Sequence, residues 1–259
     1  MPFTPSHPAA ALPIWPLIRR GVIPMAPFVI GAMVPDFEYL FRLEPLSLIS
    51  HSARGILVFC LPVGALTWLL WEWMLRPVGR DLVALPPTLA PTPPPARGPS
   101  LTFATVATGV LALLLGSVSH VTWDAFTHRY TWVADRWALL STPAFAMGGT
   151  VVLWHSVFQH LSTILGAGVV LRWFIGEWQS GGRSWRALGE PRRLRHWAAL
   201  GAAAFALGLW NAPRHGQMIH VRPAPIVVGR FVVGALDGMT VAFVLLAVRR
   251  RFGAASLRT

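Results

Sequence analysis

Lysine is missing altogether from this chain: all 22 of its basic residues are arginine, set against only 10 acidic ones. Charge of either sign is scarce, at 12% of 259 residues, where a soluble domain carries about a quarter. Hydrophobic residues make up 54% and the mean hydropathy is +0.54. That balance excludes an ordinary soluble globule and points to a polytopic membrane protein; 13 Trp and 23 Pro fit the same class. Cysteine is reduced to Cys60, inside an apolar stretch, so no intrachain disulfide can form and the redox compartment stays unmarked. No basic stretch precedes the apolar part of "MPFTPSHPAAALPIWPLIRR", which therefore does not read as a cleaved signal peptide. A formal charge of +12 could suggest nucleic acid, but the arginines gather at the ends of apolar runs, where orientation signals belong.

Five apolar runs are long enough, or nearly so, to cross a bilayer: roughly 55–75, 101–120, 148–176, 197–212 and 225–248. A sixth, 22–40, is broken by Pro24, Pro27 and Pro35 and reads as a bent or re-entrant span. The expected fold is an all-α, polytopic membrane helix bundle of about six spans. Its motifs fall in residues 1–176, with a proline-rich linker at 85–99, and residues 177–259 add two spans with a basic loop and tail. With the C-terminus in the cytoplasm, fourteen arginines fall on inside segments and six on outside ones, which favours that orientation in a bacterial or archaeal cytoplasmic membrane. The same orientation gathers most histidines and carboxylates at the outer ends of the first four spans.

The densest of these clusters is "SHVTWDAFTH", where His120, Asp124 and His128 are spaced four apart and so share one side of a helix. Ionisable groups at the membrane edge are costly and usually functional, and imidazole with carboxylate suits Zn²⁺, with Mn²⁺, Fe²⁺ or Ni²⁺ fitting also. "VPDFEYL" offers Asp36, either a ligand or a helix cap after Pro35, and Glu38, a second ligand or a general base. His51 and Arg54 stand together in "LISHSARG" and count only alongside their neighbours. His7 begins on the cytoplasmic side unless "HPAAALPIWPLI" dips into the bundle. His155 and His160 cannot face the same way on one helix. Arg230 and Asp237, seven apart, read as a buried structural ion pair.

Taken in order, "FTPSHPAA", "VIGAMVPDFEYLFRL", "SHSARGILVFCLPVG", "GSVSHVTWDAFTH" and "VFQHLSTILG" resemble a family of bacterial and archaeal membrane proteins catalogued as a domain of unknown function. The resemblance covers roughly residues 1–175. More distantly, the His / Pro-Asp / His / Thr-His layout is similar to that of inner-membrane proteins grouped as metal-dependent hydrolases. Carried over residue by residue, it implies His7, Asp36, His51, His120, Asp124 and His128 as metal ligands, with Gln159 and His160 from the fifth motif. Where that distant group has Asp-x-Asp, this chain has Asp36-Phe37-Glu38.

The expectation is a membrane-embedded metal-dependent hydrolase. Glu38 would serve as base, Arg54 and Arg129 would hold an anionic group, and the substrate would be a phosphoester or lipid-linked molecule at the membrane edge. A transporter or metal permease, which needs polar residues through the full depth of several spans, is the alternative. A third reading is a non-catalytic scaffold with a structural metal. Membrane lipid is the expected surrounding, and nucleic acid is not an expected partner.

Overall fold

A computed structural model describes residues 4–83, 102–129, 131–180, 189–214 and 223–253. The proline-rich linker, Arg183 and Arg186 of the basic loop, and the extreme tail lie outside these. Among the described residues, four helices are long and apolar enough to cross a membrane: α4 (Ala53–Gly79), α5 (Phe103–Thr127), α6 (over Trp154–Gly176 of Trp154–Ser180) and α8 (over Ile226–Gly253 of Pro223–Gly253). The helix α7 (Pro191–Asn211) is not among them, because its first turns carry Arg192, Arg193 and Arg195. The chain divides into two compact units. One holds residues 1–35, 49–68 and 101–176, the other 36–48, 69–100 and 177–259.

In the first unit, the proline-dense N-terminus winds as a 3-10 helix over Thr4–Ile14, with Pro8 and Pro13 inside it. Those prolines lack the N–H that α-helical bonding would need. The short helix α1 (Trp15–Arg19) follows, and the chain reverses at Gly21, whose φ of +74° suits glycine. It returns as α2 (Met25–Gly31) and a 3-10 turn, Val34–Asp36. The 22–40 run is thus not one span but a series of short helices broken at its prolines. The N-terminal limb lies on α6: Ser6 Oγ donates to the Thr163 carbonyl at 3.1 Å, and Trp15 meets Trp173 edge-on with ring centres 5.8 Å apart.

The limb α2 lies against α5 with backbones almost touching. A Cβ on Gly31 would overlap the Leu113 carbonyl, and one on Gly116 would overlap that of Phe28. Small residues let helices approach this closely, and in an apolar setting such packing drives association. Ser117 Oγ, buried beside the contact, donates to the Gly31 carbonyl at 3.2 Å. The buried stripe of α5 runs through Gly109, Ala112, Leu113, Gly116 and Ser117 to His120 and Asp124. The site residues therefore continue the face that packs. At the other end of that stripe, the Trp68 ring of α4 fills the space a side chain at Gly109 would need.

One element departs from an all-helical expectation. Strands β1 (Pro143–Met147) and β2 (Thr150–Leu153) pair antiparallel around Gly148 and Gly149, both at positive φ, a two-residue turn that glycine permits. The apolar run beginning at 148 thus starts as a strand, its Val151-Val152 pair favouring extended backbone, and turns helical only at Trp154.

In the second unit, α7 and α8 approach through glycines. A Cβ at Gly234 or Gly238 would overlap α7 backbone carbonyls, and Met74, Val78, Leu82, Leu200 and Ala247 form a core. Arg230, 1% exposed, donates from Nη2 to Glu44 Oε1 at 2.8 Å, and Asn211 Nδ2 donates to the carbonyls of Leu43 and Arg230. The expected Arg230–Asp237 pair is therefore not formed. Seven residues put the two about 10 Å apart along the helix, and the guanidinium takes the nearer Glu44.

The α2–α5 contact gives a direct test. Gly116→Ala should lower the thermal midpoint of the detergent-purified protein, since overpacking typically costs about 1–3 kcal/mol. Gly168→Ala, with nothing within 4 Å of an added Cβ, should leave it level or raise it. Equal midpoints for the two variants would mean the helices can part without cost.

Candidate metal centre

Each side chain at the site is delivered by a local device. His120 sits on the packed stripe of α5, and because α2 lies so close, its Nδ1 donates to the Ala32 carbonyl at 2.7 Å. That bond fixes the tautomer and leaves Nε2 with its lone pair turned into the site. His51 precedes the start of α4, where Ser52 Oγ accepts from the Gly55 N–H at 2.9 Å, and Ser50 Oγ holds its Nδ1 at 2.9 Å. His7 is carried in by the 3-10 limb, which Gly166 of α6 admits; a Cβ there would fall 2.9 Å from the Ser6 carbonyl oxygen. The limb brings the His7 ring onto that of His120, with which it stacks, centres 3.6 Å apart.

Asp124, one turn beyond His120, stands at the middle. Its Oδ2 lies 3.2 Å from His51 Nε2 and 3.4 Å from His120 Nε2. Its Oδ1 lies 3.5 Å from His7 Nε2 and 3.8 Å from His128 Nδ1. Helix α5 ends at Thr127, so His128 is the first residue off it rather than a third member of the stripe. Its Nδ1 donates back to the Asp124 carbonyl at 3.0 Å, while its buried Nε2 has no hydrogen-bond partner among the described residues. Burial pushes the His128 imidazole below its ordinary pKa, and the Asp124 carboxylate pulls the other way.

Asp36 ends the 3-10 turn Val34–Asp36. One ligand atom each from Asp36, His51, His120 and Asp124 lie within 4.8 Å of one another. This buried group could hold a metal ion. The donors fit one closely: His51 Nε2, His120 Nε2 and Asp124 Oδ2 form a nearly equilateral triangle with sides of 3.2, 3.3 and 3.4 Å. A tetrahedral ion with N and O donors at about 2.0–2.1 Å holds them about 3.3 Å apart.

Family comparison follows the same residues. The family model described as "Domain of unknown function (DUF4184)" matches residues 1–248. The chain belongs to the DUF4184 family. The match runs well past residue 175, so the last two helices are part of the family pattern as well. No curated protein and no solved structure matches the chain.

Glu38, His160, Arg54 and Arg129, also expected at the site of this DUF4184 protein, are not among the four residues that come together. Glu38, in helix α3 (Phe37–Arg42), is buried and its Oε1 accepts from Arg42 Nε at 2.7 Å and from the Leu48 N–H at 3.0 Å. Its carboxylate is thus taken up in holding its own loop. His160 is exposed on α6, five residues and about 500° of helix from the buried His155, and does not join the group. Arg54 is exposed in the first turn of α4. Arg129 is exposed too, and its Nε donates to His155 Nε2 at 3.2 Å. The Ala32 carbonyl had no sequence signal, since any residue supplies one, and Ser50 was visible only as a neighbour of His51.

Zinc added to metal-stripped DUF4184 protein should raise its thermal midpoint, ion at a hundredfold excess over Kd contributing about 2.7 kcal/mol. His160→Ala should respond as the parent does and Asp124→Ala should not. A shift that survives Asp124→Ala would place the ion somewhere else.

Proposed function

We propose that this protein is a membrane-embedded metal-dependent hydrolase, with zinc as the first candidate and manganese, iron and nickel compatible with the same donors. The observation that supports it best is the triangle of His51, His120 and Asp124, three protein donors at metal-ligand spacing. Catalytic zinc sites characteristically use three protein ligands and keep a further position for water or substrate. Access favours chemistry over a purely structural ion, because the His51 and His128 side chains are 19% and 27% exposed while that of His120 is fully covered. A divalent ion at such a centre supplies Lewis acidity.

The protein's own groups divide the remaining work. His120 and His51 are held in orientation by Ala32 and Ser50, and Asp36 adds a second carboxylate charge. His128 is the group for proton transfer: with Nδ1 committed to the Asp124 carbonyl, its Nε2 is an acceptor at the edge of the site. Glu38, tied to Arg42 and Leu48, is less suited to that role. The arginine asymmetry of the sequence supports a cytoplasmic membrane with the C-terminus inside.

Activity should separate these roles. Against a panel of phosphoester, carboxylester and amide compounds, the zinc-loaded protein should hydrolyse at least one class, and chelation should abolish the rate. His128→Gln should keep its metal and lose about 10²–10⁴-fold in rate, whereas His120→Ala should lose metal and rate together. Retention of the full rate by His128→Gln would remove it from proton transfer, and the absence of any metal-dependent hydrolysis would remove the reading itself.

A further inference from the structure

Arg129 follows His128 directly in the chain, at the exposed rim of the centre. Its partner is unusual. Nε donates to Nε2 of His155, a histidine only 5% exposed, whose Nδ1 lies 3.2 Å from Ser156 Oγ. An imidazole nitrogen that accepts from a guanidinium is unprotonated, so His155 is neutral with its proton on Nδ1. The guanidinium is therefore anchored without being neutralised. Among the described residues no carboxylate pairs with Arg129, and its Nη1 and Nη2 make no hydrogen bond.

Charge points the same way. Asp36 and Asp124 together would balance one divalent ion, so the Arg129 charge is not called on to neutralise them. A planar fork fixed at its Nε end presents two terminal amino groups whose spacing matches two oxygens of one phosphate. The preference for arginine over lysine carries no weight in a chain without lysine; the anchoring by His155 does. A second group at the same rim, His128 Nε2, is buried with no hydrogen-bond partner among the described residues.

We infer that Arg129, held in place by His155, is an anion subsite beside the centre, and that the substrate carries a phosphoester group which this guanidinium binds. This rests on the hydrolytic reading of the centre and gives it a substrate class. Arg129 touches the substrate; His155 acts through Arg129 and is a positioning residue. The phosphate could belong to a lipid headgroup or to a soluble phosphoester, and the recognition chemistry is shared.

The test is calorimetric titration of the full-length, zinc-loaded protein in detergent with inorganic phosphate and, separately, with a short-chain phosphatidic acid. The parent protein should bind phosphate. Arg129→Ala should weaken binding by about tenfold or more while its zinc content stays at the parent level. His155→Leu should weaken it severalfold, and His155→Gln, which keeps an acceptor oxygen for Arg129 Nε, should recover most of the loss. Phosphatidic acid binding more tightly than phosphate, with the same dependence on Arg129, identifies a lipid headgroup as the source; equal affinity identifies a soluble phosphoester. Parent-like phosphate binding by Arg129→Ala, or no binding by the parent, overturns the subsite. If the parent holds no zinc, the hydrolytic reading falls, and the comparison of parent with Arg129→Ala in metal-free protein still decides whether Arg129 binds the anion.

Discussion

A carboxylate enclosed by four imidazoles is the constraint on which the rest of this structure depends. Asp124 lies on a helix apolar enough to cross a bilayer, buried, with His7, His51, His120 and His128 each 3.2–3.8 Å from one of its oxygens. An unpaired charge in such a place costs several kcal/mol, so positive charge has to sit beside it. Protonated histidines supply it poorly here: the His7 and His120 rings stack 3.6 Å apart, and like charges at that distance repel. His120 and His51 also turn Nε2 atoms towards each other at 3.3 Å, with the Nδ1 of His120 already donating to a carbonyl. A cation shared by those nitrogens and the carboxylate would relieve both problems at once.

Delivery of the donors depends on backbone contacts that glycine makes possible. Without the close approach of Gly31 and Gly116, the Ala32 carbonyl would not reach His120 Nδ1 and the ring would lose its fixed tautomer. Without Gly166, the 3-10 limb would not lie on α6 and His7 would not reach the site. The prolines have a complementary part. They deny the first 36 residues a regular span and leave a folded-back segment whose two ends both meet α5, one bearing His7 and the other Ala32 and Asp36. Of this limb Ser6, His7 and Ala11 are buried, so the face that carries His7 is the one covered by protein.

Much of this could be read from the residues. The i,i+4 spacing of His120 and Asp124 put both on one face, and the helix proved to bury that face. His51 and Asp36 were legible only because several motifs pointed the same way; each alone had an ordinary explanation. What could not be read depends on tertiary placement. His7 could be placed only by the 3-10 limb, whose path a count of straight spans does not describe. His160 was expected from resemblance, yet helix geometry turns it outward while His155 turns in. The Arg230–Asp237 pair failed because a shared face does not mean contact across two turns. Glu38 stood two residues from Asp36 in sequence and found Arg42 one turn later.

The central claim is that His51, His120 and Asp124 bind a divalent ion through nitrogen and oxygen alone. X-ray absorption at the zinc edge of the zinc-loaded, detergent-purified protein tests it most directly. The account predicts a shell of N and O scatterers at about 2.0–2.1 Å, with the outer-shell pattern of two or three imidazoles and no sulfur. A sulfur shell at about 2.3 Å, which would implicate Cys60, or a zinc spectrum unchanged by His120→Ala, would contradict it.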